Sequence, residues 1–283
     1  MKKIVSLLLI FIFMIMTITS VGANDNINEG RVAGQTITCS ELEGIEKLKN
    51  QSDQELINQG YTKNEIEEIR NLDPEKELLK RAQMDSNTLK NMGYSDKQIE
   101  TFKKYRNKSN CITQEDITIL ASKMTVNTSH SGFTHSSANG TRAYVHFTWA
   151  WSSLPLFRLN DMVAFRWGKG FSSSTSASSL KVTYRNETTG LTDSKTFYIA
   201  GKEPNVGCHF KFPVNKLEYG GDAISGRATV LLTEPDKNIS TFEVVGAYGH
   251  TSINIAPSVS YPLGGGISFR IGMTKYQDFH DVY

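Results

Sequence analysis

Cysteine is scarce: the chain of 283 residues has three, Cys39, Cys111 and Cys208. They form no Cys-x-x-Cys unit, which removes the paired-thiolate zinc sites. Charge of one sign is also lacking. Once the first 23 residues are set aside, Lys2 and Lys3 go with them and 29 basic residues face 29 acidic ones. Electrostatic attraction to nucleic acid therefore has no support. No histidine pair has the i, i+4 helical spacing of a metalloprotease, no serine sits in Gly-x-Ser-x-Gly, and no Gly-rich loop precedes a helix. Zincin, hydrolase-elbow and nucleotide-cofactor chemistry are accordingly not expected. Paired carboxylates remain open as a hydrolytic arrangement, because they can lie far apart in sequence. The second half has few acids for that purpose, and Asp161, Glu187, Glu218, Asp222 and Glu234 fall mostly in loops or at strand ends.

What is present begins with a secretory pattern. Lys2 and Lys3 precede an apolar run from Ile4 to Ile18, and Val21-Gly22-Ala23 supplies small residues for cleavage,. Export and cleavage after Ala23 are expected, since the run is shorter than the roughly 20 residues of a spanning helix. The closing KYQDFHDVY carries no hydrophobic tail.

Residues 24–38 lack periodicity and read as a flexible leader. Residues 39–112 are dense in charge and helical, and contain an internal repeat. ELINQGYTKNEIEEIRNL from Glu55 and TLKNMGYSDKQIETFKKY from Thr88 align 33 residues apart,. In each copy a glycine, Gly60 or Gly93, suits the left-handed end of one helix. Thr62 with Glu65, and Ser95 with Gln98, have the spacing of capping boxes for the next. Cys39 and Cys111 bracket the repeats; a disulfide between them would close a loop of about 70 residues and stabilise by roughly 4 kcal/mol. Three free thiols are the equal alternative.

Residues 113–283 read as β. From Tyr144 to Phe171 all three tryptophans fall in two alternating segments: Val145, Phe147, Trp149 and Trp151, then Val163, Phe165 and Trp167. A two-residue period puts these on one buried face, with Tyr144, His146 and Thr148 on the other. Further strands are expected at Leu180-Tyr184, Thr196-Ala200, Cys208-Phe212, Arg227-Leu232, Phe242-Tyr248, Ser252-Ile255 and Ile267-Met273. No long helical period interrupts them, so a parallel α/β sheet is not expected. The expected fold is α+β by domain: a small N-terminal helical bundle of two helix-turn-helix repeats, then an all-β antiparallel sandwich of jelly-roll type.

The segments WAWSSLPLF, VAFRWGKGFS, VVGAYGHTSINIAPSVSYP and GGGISFRIGM resemble a group of uncharacterised secreted proteins of spore-forming Gram-positive bacteria. The resemblance covers the β region and implies secretion and a shared fold; it brings no activity and no site.

His130 and His135 lie in the polar stretch SHSGFTHSSANG, and with His146 they are a candidate zinc cluster, although ordinary surface histidines explain them as well. No metal or other cofactor is assigned. The function expected is a secreted, non-enzymatic protein with a β-sandwich binding module that acts at the cell envelope or on an extracellular glycan or protein, its partner a cell-wall polymer, a glycan or an extracellular protein. Tyr144, His146, Arg166, Tyr248 and His250 flank the aromatic core and are the candidate binding residues; no catalytic residue is assigned. Two alternatives stand beside this. The Ser/Thr-rich stretch from Phe171 to Ala200 has the composition of hairpins that β-pore formers insert, with the helices as a pro-region, and a secreted hydrolase is the other.

Overall fold

A computed structural model describes residues 36–107, 111–255, 258–262, 266–269 and 273–283. The expected signal peptide and most of the expected leader lie outside the described residues. Ile37 and Thr38, at the leader's end, belong to a strand, β1 (Ile37–Ser40). Helices follow: α1 (Glu41–Lys49), α2 (Asp53–Asn58), α3 (Lys63–Arg70), α4 (Pro74–Ala82), α5 (Ser86–Asn91), α6 (Asp96–Lys103) and α7 (Gln114–Leu120). The repeat is α2–α3 and α5–α6. Gly60 and Gly93 take φ of 90° and 95° at the two corners. Both capping boxes form: Thr62 with Glu65, and Ser95 with Gln98, exchange side-chain and backbone hydrogen bonds. Each N-cap contributes about 1 kcal/mol. Equivalent positions are buried in both copies: Leu56, Tyr61, Ile66 and Ile69 answer to Leu89, Tyr94, Ile99 and Phe102.

The strands are β2 (Lys123–Ser136), β3 (Gly140–Trp151), β4 (Asn160–Trp167), β5 (Ser172–Arg185), β6 (Thr192–Phe197), β7 (Gly201–Glu203) and β8 (Gly207–Pro213). After them come β9 (Asn215–Lys216), β10 (Gly221–Glu234), β11 (Phe242–Thr251), β12 (Val259–Ser260), β13 (Ser268–Phe269) and β14 (Met273–Val282). The larger sheet has the order β1-β2-β3-β10-β5-β6, with β9 beside β10; the smaller is β14-β11-β4-β8-β7. The pairings are antiparallel.

Between the sheets lies one core that takes Trp149, Trp151 and Trp167 together with Phe147, Phe165, Phe210, Phe212 and Tyr248. Trp149 stacks on Phe212 with ring centroids 5.4 Å apart. Gly226 is opposite Trp149, and a Cβ there would come within 2.6 Å of the indole nitrogen. Cys208 is fully buried in the same core. The three cysteines are free, so no disulfide joins Cys39 to Cys111.

The jelly-roll expectation is overturned. Neither sheet closes or curls into a barrel. β2–β3 and β5–β6 are hairpins within one sheet and β7–β8 within the other. Where β14 nears β2 the link is a side chain: the Thr128 N–H donates to the Asp278 carboxylate at 2.6 Å. The expected strand at Ser252–Ile255 is irregular; of the one expected at Ile267–Met273, Ser268 and Phe269 form β13 and Met273 opens β14, while residues 270–272 lie outside the described residues. Conversely, SHSGFTHSSANG is mostly the end of β2 and the beginning of β3, and the C-terminal tail is β14.

Helices and sheets belong to one compact unit. The Leu154–Phe157 turn after β3 joins them. Leu154 and Leu156 bury their side chains among the helices. Arg81 on α4 donates to the carbonyls of Leu154 and Pro155 at 2.7 and 2.5 Å, and the Leu154 N–H donates to Met92 O at 2.9 Å.

Candidate functional site

The five candidate binding residues are placed in three separate surroundings. Cross-strand partners share a face of a sheet, so the register alone sorts them. In the larger sheet Val126, Trp149 and Val182 lie on one row and face the core. The next row, Asn127, Thr148, Arg227, Lys181 and Thr196, faces outward. Tyr144 and His146 are on this outward side, level with Leu231 and Thr229. Arg166 is on the smaller sheet, opposite Val245, and so lies across the sandwich from them. Tyr248 and His250, on β11, are fully buried.

His146 is held between two hydroxyls, Ser131 Oγ at 2.8 Å from Nε2 and Thr229 Oγ1 at 3.0 Å from Nδ1. Burial, and then the positive charges of Arg227 and of His130 if protonated, push its pKa down to about 4. It is a neutral ring at physiological pH. Tyr144 receives a hydrogen bond on its hydroxyl from Arg142 at 2.6 Å, and the guanidinium also lies 5.1 Å from its ring centroid.

His250 sits between two carboxylates. Its Nδ1 is 2.8 Å from Asp161 Oδ2 and its Nε2 is 3.2 Å from Glu41 Oε1, and all three side chains are fully buried. Asp161 also accepts from the Tyr248 hydroxyl at 2.5 Å and the Thr251 N–H at 2.9 Å. Glu41 accepts from the backbone of Leu156 and Phe157 at 2.8 and 3.1 Å. Burial opposes the imidazolium, but Asp161 and then Glu41 outweigh it and raise the His250 pKa to about 10,. A Glu-His-Asp arrangement resembles a proton relay on paper. Sealed from solvent, it has no substrate to meet, and its geometry suits a clamp between α1, β4 and β11.

The proposed zinc cluster is not assembled. His130 lies opposite Val145, on the core side of β2, with Nδ1 2.7 Å from His280 Nε2. His146 is on the other side, and His135 bonds Asn238 at 2.6 Å. Among the described residues no group of three or more His, Cys, Asp or Glu is placed to hold a metal. At the junction of helices and sheets is a groove of about 450 Å³ that includes Glu68, Arg158 and Ser252 in its lining. Arg158 there is committed to Asp222 and Glu187 at 2.8 and 2.9 Å.

The outer face of the larger sheet is the remaining candidate, and its composition is one-sided. Strands β2, β3 and β5 contain no Asp or Glu. Outward positions are Thr125, Asn127, Ser129, Thr148, Ser179, Thr183, Ser225 and Thr229, with Arg227 and Lys181 exposed among them. Arg227 and Lys181 were not singled out from the sequence, where each is one cation in an alternating segment. The signal available was the missing acid, which became meaningful only when strands distant in sequence were set side by side.

No family model matches the chain, and no curated protein matches it. Solved structures with some likeness include AvmM, which catalyses macrocyclization in alchivemycin A biosynthesis, at 11% identity and a TM-score of 0.24, covering 55% of this chain and 88% of that one. ACE19, the collagen-binding subdomain of the Enterococcus faecalis surface protein ACE, is similar at 12% identity and a TM-score of 0.28, covering 54% and 97%. A pore forming protein is similar at 6% identity and a TM-score of 0.18, covering 57% and 77%. Likenesses this remote carry no argument about fold or function.

Proposed function

We propose that the chain is a secreted, non-enzymatic protein whose β-sandwich is a binding module, acting at the cell envelope on an extracellular glycan through the outer face of its larger sheet. One observation carries this reading: that face is a broad, half-exposed array of hydroxyl, amide and cationic side chains spread over β2, β3, β10 and β5, with no carboxylate on β2, β3 or β5. Tyr144 and His146 belong to it. Tyr248, His250 and the tryptophans serve the interior, and Arg166 belongs to the other sheet. Ordered hydroxyls on a rigid sheet hydrogen-bond a polyhydroxyl ligand with little loss of side-chain entropy.

The test is co-sedimentation of the mature protein with intact cell walls, chitin, cellulose and liposomes. Sedimentation with a polysaccharide, lost when Thr148 and Thr229 are both changed to Glu, is the expected result. Sedimentation with none of the polysaccharides would refute it, and sedimentation with liposomes alone would favour membrane activity instead.

A further inference from the structure

Resting on that reading, we infer that the outer face of the larger sheet docks an acidic polysaccharide chain, with Arg227 and Lys181 as the pair that receives its carboxylates. The register of β10 on β5 sets Arg227 directly opposite Lys181, and both are exposed. Paired strands lie about 4.8 Å apart, so the two cations crowd one spot. Like charges directly opposite each other destabilise a sheet. Neither cation has an ion-pair partner among the described residues, and the two acids of β10, Asp222 and Glu234, stand at its ends. Asp222 is in any case taken by Arg158 at 2.8 Å. An unneutralised pair in a chain whose charges nearly balance overall, at a formal +2, is a cost to the fold that an anionic partner would offset.

The surroundings select the kind of anion. Thr148, Thr229, Ser179 and Thr183 surround the pair on a grid of about 4.8 Å across the strands and about 6.8 Å along them, a flat array suited to an extended sugar chain and not to an enclosed solute,. The guanidinium of Arg227 offers a planar fork that matches a carboxylate with two parallel hydrogen bonds. A bilayer is the poorer match. Among the described residues the exposed large apolar side chains, Ile57, Leu191, Tyr198, Leu217 and Tyr283, all lie off this face, and an interfacial surface needs such groups to enter the lipid.

The mature chain, the double variant Arg227→Gln with Lys181→Gln, and the single variant Lys181→Glu are measured against immobilised polygalacturonate, neutral dextran and phosphatidylglycerol vesicles. Salt is varied from 0.01 to 1 M, over which the Debye length falls from about 30 to about 3 Å. Expected is binding to polygalacturonate that weakens with salt and falls at least tenfold in the double variant. The double variant should melt no lower than the parent, because a repulsion is removed. Lys181→Glu, which turns the repulsion into a cross-strand ion pair, should melt higher and bind least. A drop in melting temperature in both variants would mark the pair as structural and overturn the inference. Equal, salt-independent binding to dextran would overturn the acidic partner while leaving the proposed binding function standing. Binding to vesicles alone would overturn both.

Discussion

Replacing His250 with Asn tests the clamp on which the docking of helices and sheets depends. The imidazolium is fully buried, 2.8 Å from Asp161 and 3.2 Å from Glu41, so its removal leaves two buried carboxylates facing each other across the space it filled. Removing one partner of a buried ion pair costs about 3–5 kcal/mol, which for a chain of this size lowers the melting temperature by roughly 10 °C. The pH dependence gives an independent signature. The His250 pKa is raised to about 10 in the fold, against about 6.5 unfolded. Between those values the folded state binds the extra proton, so stability falls as pH rises, by about 1.4 kcal/mol per unit at most. The contribution is complete below pH about 6.5 and gone above pH about 10. Urea denaturation of parent and His250→Asn at half-unit steps across that window is the assay. The parent should weaken progressively towards alkaline pH and the variant should be nearly flat, so that the two curves converge. Parallel curves, or a variant as stable as the parent at pH 6, would refute the charged clamp.

Other outcomes follow from the same structure. Trp149→Ala removes a buried indole stacked on Phe212 and should cost about 3–5 kcal/mol by calorimetry,; an unchanged melting temperature would mean that the faces of β3 are reversed. His146 and His209 both have pKa values lowered to about 4, in each case first by burial. The unfolded chain therefore takes up protons that the folded chain refuses, and stability should fall as pH drops from about 6.5 towards 4, with a shallower fall in His146→Gln. Maleimide labelling should find Cys111 at once, Cys39 slowly because burial and then Glu43 raise its pKa, and Cys208 only after unfolding; rapid labelling of Cys208 in the native protein would contradict its place in the core.

How much could be read in advance depended on range. The helical repeat is legible because each device closes within a few residues: Thr62 reaches Glu65, Ser95 reaches Gln98, and Gly60 and Gly93 turn the chain on their own φ. The tryptophan seam is legible because a strand's period of two depends on nothing beyond the strand. Length of pairing is not legible in this way. SHSGFTHSSANG looks like a loop on composition, yet most of it extends β2 to Ser136 because β3 supplies hydrogen bonds along its length. KYQDFHDVY looks like a tail until β11 pairs with it.

The candidate site shows the same division more sharply. Parity placed Tyr144 and His146 on the face opposite Trp149, and the fold agrees. His250 and Tyr248 read locally as polar or amphipathic groups flanking the aromatic core, and nothing local reveals that Glu41, 209 positions away, and Asp161 would enclose His250. Arg227 and Lys181 became neighbours only through the pairing of β10 with β5, and only that pairing made two ordinary strand cations into an uncompensated pair. Alone, the amino-acid sequence determined the paired helical repeat and which side of β3 is apolar, since both follow from propensity and period over a few residues. Strand order, the partners of the buried charges and the charge of each sheet face were decided by the tertiary structure, because register between distant segments is set by packing of the whole core.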